Sequence, residues 1–93
     1  MKIVYLKSFL NDIKKLRDKD LKAKIKKLIL SIEKAERLED LSNAKKMKGY
    51  SIAYRIRIGN YRMGIYKETE IVEIARFLRR SDIYKVFSKK NDK

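Results

Sequence analysis

Residues 52–66 decide the fold: Ile52-Ala53-Tyr54-Arg55-Ile56-Arg57-Ile58-Gly59-Asn60-Tyr61-Arg62-Met63-Gly64-Ile65-Tyr66. The period is two. Ile52, Tyr54, Ile56 and Ile58 alternate with Ala53, Arg55 and Arg57, which puts the isoleucines on one face of a strand and both arginines on the other. Gly59-Asn60 separates two such runs and reads as a two-residue hairpin turn, glycine suiting the positive φ at the first position of a type II′ turn. The return strand, Tyr61 to Lys67, carries Arg62 and Tyr66 on one face and Met63 and Ile65 on the other.

C-terminal to this hairpin, Lys67-Glu68-Thr69-Glu70 is polar enough to turn again, and Ile71 to Leu78 makes a third antiparallel strand. Arg79 to Tyr84 then lead into a short apolar end at Val86 and Phe87, a C-terminal helix or tail, with Ser88 to Lys93 expected to fray. N-terminal to it, Lys2 to Leu6 reads as a short strand. Ser8 is placed to cap a helix carrying Phe9, Ile13 and Leu16, and Asp18 or Asp20 to cap a second one. Leu21, Ile25, Leu28, Ile29, Ile32 and Ala35, three and four apart, draw one apolar stripe along that second helix. Lys22, Lys24, Lys26 and Lys27 point mainly away from the stripe, as an ordinary solvated face does. Glu36 to Gly49 loses the period and ends in Lys45-Lys46-Met47-Lys48-Gly49, so it reads as a connecting segment. The order β-α-α-β-β-β predicts a single α+β domain over 1–93, with an N-terminal strand and two helices packed on one face of a curved antiparallel sheet.

Composition narrows the function. The 93 residues include 26 Lys and Arg against 12 Asp and Glu, a formal charge of +14 spread over both halves. A net charge of about 2 to 8 suffices for solubility in a small domain, so a merely soluble lysine-rich surface is the weaker reading. RNA, DNA, an anionic membrane or an acidic protein are the partners such a field attracts. The chain has no Cys and no His. Thiolate chemistry is excluded, and the usual zinc ligands and the usual general base are missing, which argues against a metalloenzyme and predicts no cofactor. No apolar run approaches the roughly 20 residues that span a bilayer, and no signal-peptide h-region opens the chain, so no membrane association and a cytoplasmic location are expected.

Two clusters could carry chemistry. Arg55 and Arg57 share the face of one strand that the isoleucines avoid, and Arg62 on the next strand lies across the turn from them. Guanidiniums gathered on a sheet repel one another unless an anion or acidic partner occupies them, and each can grip a phosphate bidentately. The alternative is an ordinary exposed face, its arginines paired with Glu68, Glu70 or Glu73. The second cluster, Arg76, Arg79, Arg80 and Tyr84, ends the last strand. There a tyrosine can stack on a splayed base or exchange a proton, or simply pack on the sheet edge.

Lys46-Met47-Lys48-Gly49, the hairpin from Tyr54 to Tyr66 and Arg80-Ser81-Asp82-Ile83-Tyr84 together resemble the RelE/ParE toxin superfamily, over nearly the whole chain. Its members typically show a K-L-K-G turn, a Y-R-I-R-x-G-x-Y-R-x-x-Y hairpin and a terminal R-x-D-I-Y. The resemblance implies a toxin of a type II toxin–antitoxin system. It would be a metal-independent endoribonuclease that cuts messenger RNA on the ribosome by attack of a ribose 2′-hydroxyl on the adjacent phosphate. Arg55, Arg57 and Arg62 would grip the phosphate, Arg80 would assist it or the leaving group, and Tyr84 would stack on or orient a base. Lys46, Lys48, Arg76 and Arg79 are further expected RNA contacts, and the expected partners are a cognate antitoxin, the ribosome and messenger RNA. The best-studied RelE branch has lysines where this chain has Arg55 and Arg57, and other branches place a His near the end. The general base therefore stays open between Tyr84, Glu39 and a ribosomal group. The ParE branch poisons DNA gyrase instead, and that reading stands as the alternative, beside a non-catalytic nucleic-acid or protein-binding module.

Overall fold

A computed structural model describes residues 1–47 and 52–86, without the side chain of Val86. Lys48, Gly49, Phe87 and the tail expected to fray lie outside the described residues. The chain runs β1 (Lys2–Tyr5), α1 (Lys7–Lys14), α2 (Lys19–Lys34), a 3-10 turn (Leu38–Asp40), β2 (Ala44–Lys46), β3 (Ala53–Ile58), β4 (Tyr61–Glu68), β5 (Ile71–Arg79) and α3 (Arg80–Val86). The α+β class, the paired N-terminal helices and the three-stranded meander are as the periodicities predict.

Both sheet edges differ from expectation. The strand order is β1-β5-β4-β3-β2, five strands rather than four. β1 pairs with β5 in parallel, Ile3 beside Val72 and Tyr5 beside Ile74, so the sheet is mixed rather than wholly antiparallel. At the other edge, part of the expected connecting segment forms β2, with Lys45 across from Arg55 and Lys46 across from Tyr54. Three residues carry too little periodicity to announce a strand, and only pairing with β3 makes them one.

Each face of the sheet has its own core. Tyr54 and Ile56 of β3, Met63 and Ile65 of β4, and Val72, Ile74 and Phe77 of β5 pack with Phe9 of α1, Ile25 and Ile32 of α2, and Leu38. The opposite face holds a smaller cluster, Met47, Ala53, Tyr66, Ala75 and Ile83, with Leu6, Ile52 and Leu78 against it. Ile52 precedes β3 and joins this second cluster rather than continuing the alternation. Ile83, fully buried, seats α3 on the face that α1 and α2 leave uncovered. A register shift between Gly64 and Ile65 gives β5 one extra residue, Ala75, which lets Ile74 and Phe77 both reach the helix side.

Local chemistry accounts for the helix starts. Asp18 caps α2, its carboxylate accepting from the Leu21 amide at 3.0 Å, an interaction worth about 1 kcal/mol. Ser8 does not cap α1. Leu6 holds that position without a side-chain bond, and the Ser8 hydroxyl instead donates to the Ala75 carbonyl at 2.6 Å. β1 ends at Tyr5, so α1 runs alongside the part of β5 that β1 no longer covers, and its polar side chains satisfy backbone groups there.

Candidate functional site

Cross-strand register assembles the arginines. Arg57 lies directly opposite Arg62, and Leu78 is the next residue of that row, on β5. Two residues away along β3, Arg55 lies opposite Gly64. Direct partners share a face, and this is the face of the smaller core, where α3 returns. At the tip, Gly59 takes φ +57° while Asn60 stays at negative φ, as a type II′ turn requires. The Asn60 carbonyl accepts from the Arg80 amide at 2.8 Å, which ties the start of α3 to the hairpin. From that anchor Ile83 turns inward and the half-exposed Tyr84 turns toward β3, the Arg55 guanidinium lying 5.8 Å from its ring centre.

Arg62 is the centre of the arrangement. The residue is 8% exposed. Nη1 donates to the carbonyls of Gly59 at 3.1 Å and Tyr61 at 3.0 Å, while the buried Nε has no partner. Burial, and then the cations of Arg80, Arg55 and Arg57, push the guanidinium below its ordinary pKa, against a small opposing effect of Tyr84. Four guanidiniums and one phenol therefore share one electrostatic neighbourhood. No carboxylate pairs with Arg55, Arg57, Arg62 or Arg80 among the described residues. Glu68 and Glu70 line a separate open cavity of about 940 Å³ with the end of α2. Arginine keeps its proton even when depressed, so the cluster is a fixed positive field.

The other expected residues separate. Arg76 is engaged inside the fold, Nε and Nη2 donating to Asp12 of α1 at 2.8 and 3.1 Å, and this carboxylate holds its guanidinium above the ordinary value. Arg79 lies across from Tyr61 and 5.8 Å from its ring centre, and that ring stacks on Phe77 at 4.9 Å. Arg79, Arg80, Ser81 and Tyr84 with Asn60 line an open depression beside the hairpin tip. Lys46 sits beside Tyr54, on the side away from the arginines, whereas Lys45 is the lysine beside Arg55. Lys48 is outside the described residues. Glu39 accepts from the Tyr54 hydroxyl at 2.9 Å on the helix side of the sheet, so it is remote from the cluster as a base. Sequence reasoning missed Asp12, Lys45 and the Asn60 carbonyl. Lys45 is marked only by its register against β3, and Asp12 only by the packing of α1 on β5, neither of which a single segment reveals.

Comparison with known proteins matches residues 3–84 to the family of ParE toxins of type II toxin–antitoxin systems, parDE. The toxin RelE3 of Methanocaldococcus jannaschii is 38% identical over 88 residues, covering 94% of this chain and 99% of that one. The chain belongs to the RelE/ParE toxin superfamily. Among solved structures, the toxin of the RelB–RelE antitoxin–toxin complex from Methanococcus jannaschii superposes with a TM-score of 0.77 at 33% identity, over 90% of this chain and 98% of that one. The YoeB dimer of Staphylococcus aureus gives a TM-score of 0.70 at 23% identity, over 86% and 97% of the two chains, and shares the fold. In this chain the fold presents Arg55, Arg57 and Arg62 on the side opposite its two N-terminal helices.

Proposed function

We propose that this RelE-like toxin is a metal-independent endoribonuclease that cleaves messenger RNA on the ribosome. One observation carries the reading: Arg55, Arg57, Arg80 and Tyr84 converge on the buried Arg62, and none of the four arginines has a carboxylate partner among the described residues. In the reaction a ribose 2′-oxygen attacks the adjacent phosphorus, the bond from phosphorus to the 5′-oxygen breaks, and a 2′,3′-cyclic phosphate and a 5′-hydroxyl result. Charge builds on the phosphoryl oxygens, and preorganised guanidiniums stabilise it without reorganising, the usual large contribution in such sites. Arg62, immobilised by two carbonyls, is suited to bind the phosphate. Arg55 and Arg57 flank it, and Arg80 at the start of α3 attends the leaving oxygen. Tyr84 stacks on or orients a base and is the phenol within reach of the cluster, while the ribosome supplies what the chain lacks in proton transfer. Arg79 and Arg80 extend the positive lining beside the turn.

The partner in this reading is a cognate antitoxin whose acidic segment covers the basic face. It is supported by the charge of +14 and by the relative solved as an antitoxin–toxin complex. A second reading, inhibition of DNA gyrase, is favoured by the ParE description of the matching family.

Induction in cells with mapping of messenger 5′ ends separates the two. New ends inside translated codons, absent with Arg62→Ala and reduced with Tyr84→Phe, are the expected result. Growth arrest with DNA damage and no new ends would replace the ribonuclease reading by the gyrase one.

A further inference from the structure

Lys45 belongs to no motif, yet the sheet places it in line with the arginines. It lies directly across from Arg55, and two independent neighbours show which way it faces. Met47, of the same parity in the chain, is buried in the smaller core, whereas Ala44, of the opposite parity, packs against the helix-side core. Lys45 is exposed and has no carboxylate partner among the described residues. It therefore extends the positive face by one strand, to the edge of the sheet. Adjacent strands are about 4.8 Å apart and alternate residues about 6.8 Å, which sets Lys45, Arg55 and the Arg57–Arg62 pair out as successive steps across the sheet.

We infer that Lys45 is a phosphate-binding position that continues the RNA track from the arginine cluster over the β2 edge, and that Lys46 is not. The inference rests on the ribonuclease reading and deepens it, because it assigns a path to the strand beyond the reacting phosphate. An extended single strand crossing β4, β3 and β2 on this face meets Arg62, Arg57 or Arg55, and Lys45 in turn. Lysine suits an outer position: a flexible point charge follows the backbone without the bidentate constraint of arginine. Lys46, adjacent in sequence and equal in charge but on the other face, isolates direction from net charge.

The test measures binding of the purified protein to a short labelled oligouridylate by fluorescence anisotropy across a salt series, with circular dichroism to show that each variant folds. Each phosphate contact to a single strand contributes a slope of about 0.7 in log affinity against log salt. Lys45→Gln is expected to lower the slope by about 0.7 and the affinity about fivefold at 0.1 M salt, which is that slope carried from about 1 M. Lys45→Arg should keep the wild-type slope, and Lys46→Gln should keep that slope too and an affinity within about twofold of wild type. Equal losses in Lys45→Gln and Lys46→Gln would overturn the inference, as would no loss in either. If Arg57→Gln still weakens binding in that case, the ribonuclease reading survives. Failure of the wild-type protein to bind at all would overturn the inference alone, since the ribonuclease reading concerns messenger RNA held on the ribosome and stands or falls by the mapped 5′ ends.

Discussion

Arg62 is held in a state that a folded protein avoids unless something is gained from it. An arginine that is 8% exposed, with an unpartnered Nε and three cationic neighbours, is destabilising, since an uncompensated buried charge costs several kcal/mol. Its two carbonyl bonds offset only part of that. Arg62→Met, unbranched as far as the position of Nε and uncharged, is therefore expected to stabilise the domain by about 1 kcal/mol, a rise in Tm of about 4–8 °C for a chain of this size, while abolishing cleavage. Thermal unfolding and 5′-end mapping on the same variant check both halves, and a lower Tm would mean that the carbonyl bonds outweigh the buried charge. The Tyr54–Glu39 pair predicts a pH dependence of stability. Burial, then the bond to Glu39, raises the Tyr54 pKa, while hydrogen bonds from its own backbone and from Tyr54 lower that of Glu39. The raised tyrosine contributes stability that is whole below its unfolded value and lost as pH rises above about 10. The lowered carboxylate contributes stability that is present above its unfolded value and lost as pH falls below about 4. Wild type minus Tyr54→Phe, melted from acid to alkaline pH, should leave a plateau that declines on both sides, and a flat difference would show the pair contributes nothing.

At the level of elements, the join between α1 and β5 carries more than its size suggests. Asp12, 8% exposed, accepts from Arg76 twice and from the Phe77 amide at 2.9 Å, replacing the ladder that β1 stops providing. Removing a carboxylate that satisfies an ion partner and a buried amide leaves both unpaired. Asp12→Ala should cost about 2–4 kcal/mol, and Asp12→Asn, which can still accept from the amide, distinctly less. Chemical denaturation compares the two, and equal losses would place the whole effect in the ion pair. The same join reaches the site, because β5 continues into α3 and α3 carries Arg80 and Tyr84. Short and seated by Ile83, α3 depends on its anchor at the hairpin carbonyl and on the core beneath it.

For the whole molecule, a charge of +14 implies self-repulsion that added salt relieves. Raising sodium chloride is expected to raise Tm, and sulfate at equal ionic strength to raise it further by binding the folded cluster. The sulfate increment, unlike the chloride one, should vanish in Arg62→Met; an equal increment in both proteins would mean that sulfate acts on the general surface. The sequence alone determined what local chemistry enforces. Period two gave β3 and β4, Gly59 the turn, spacings of three and four the α2 stripe, and Arg55, Arg57 and Arg62 the common face. Tertiary structure decided what depends on partners distant in the chain. β1 adds to β5 in parallel, Lys45 and Lys46 are sorted to opposite faces by pairing with β3, and Ser8 is drawn from a helix cap to the Ala75 carbonyl. Arg76 and Arg80, four residues apart and alike in composition, part company because one meets Asp12 and the other the field of Arg62. Periodicity records which face a residue takes within its own element, while register and long-range hydrogen bonds record what stands across from it, and no single segment encodes those.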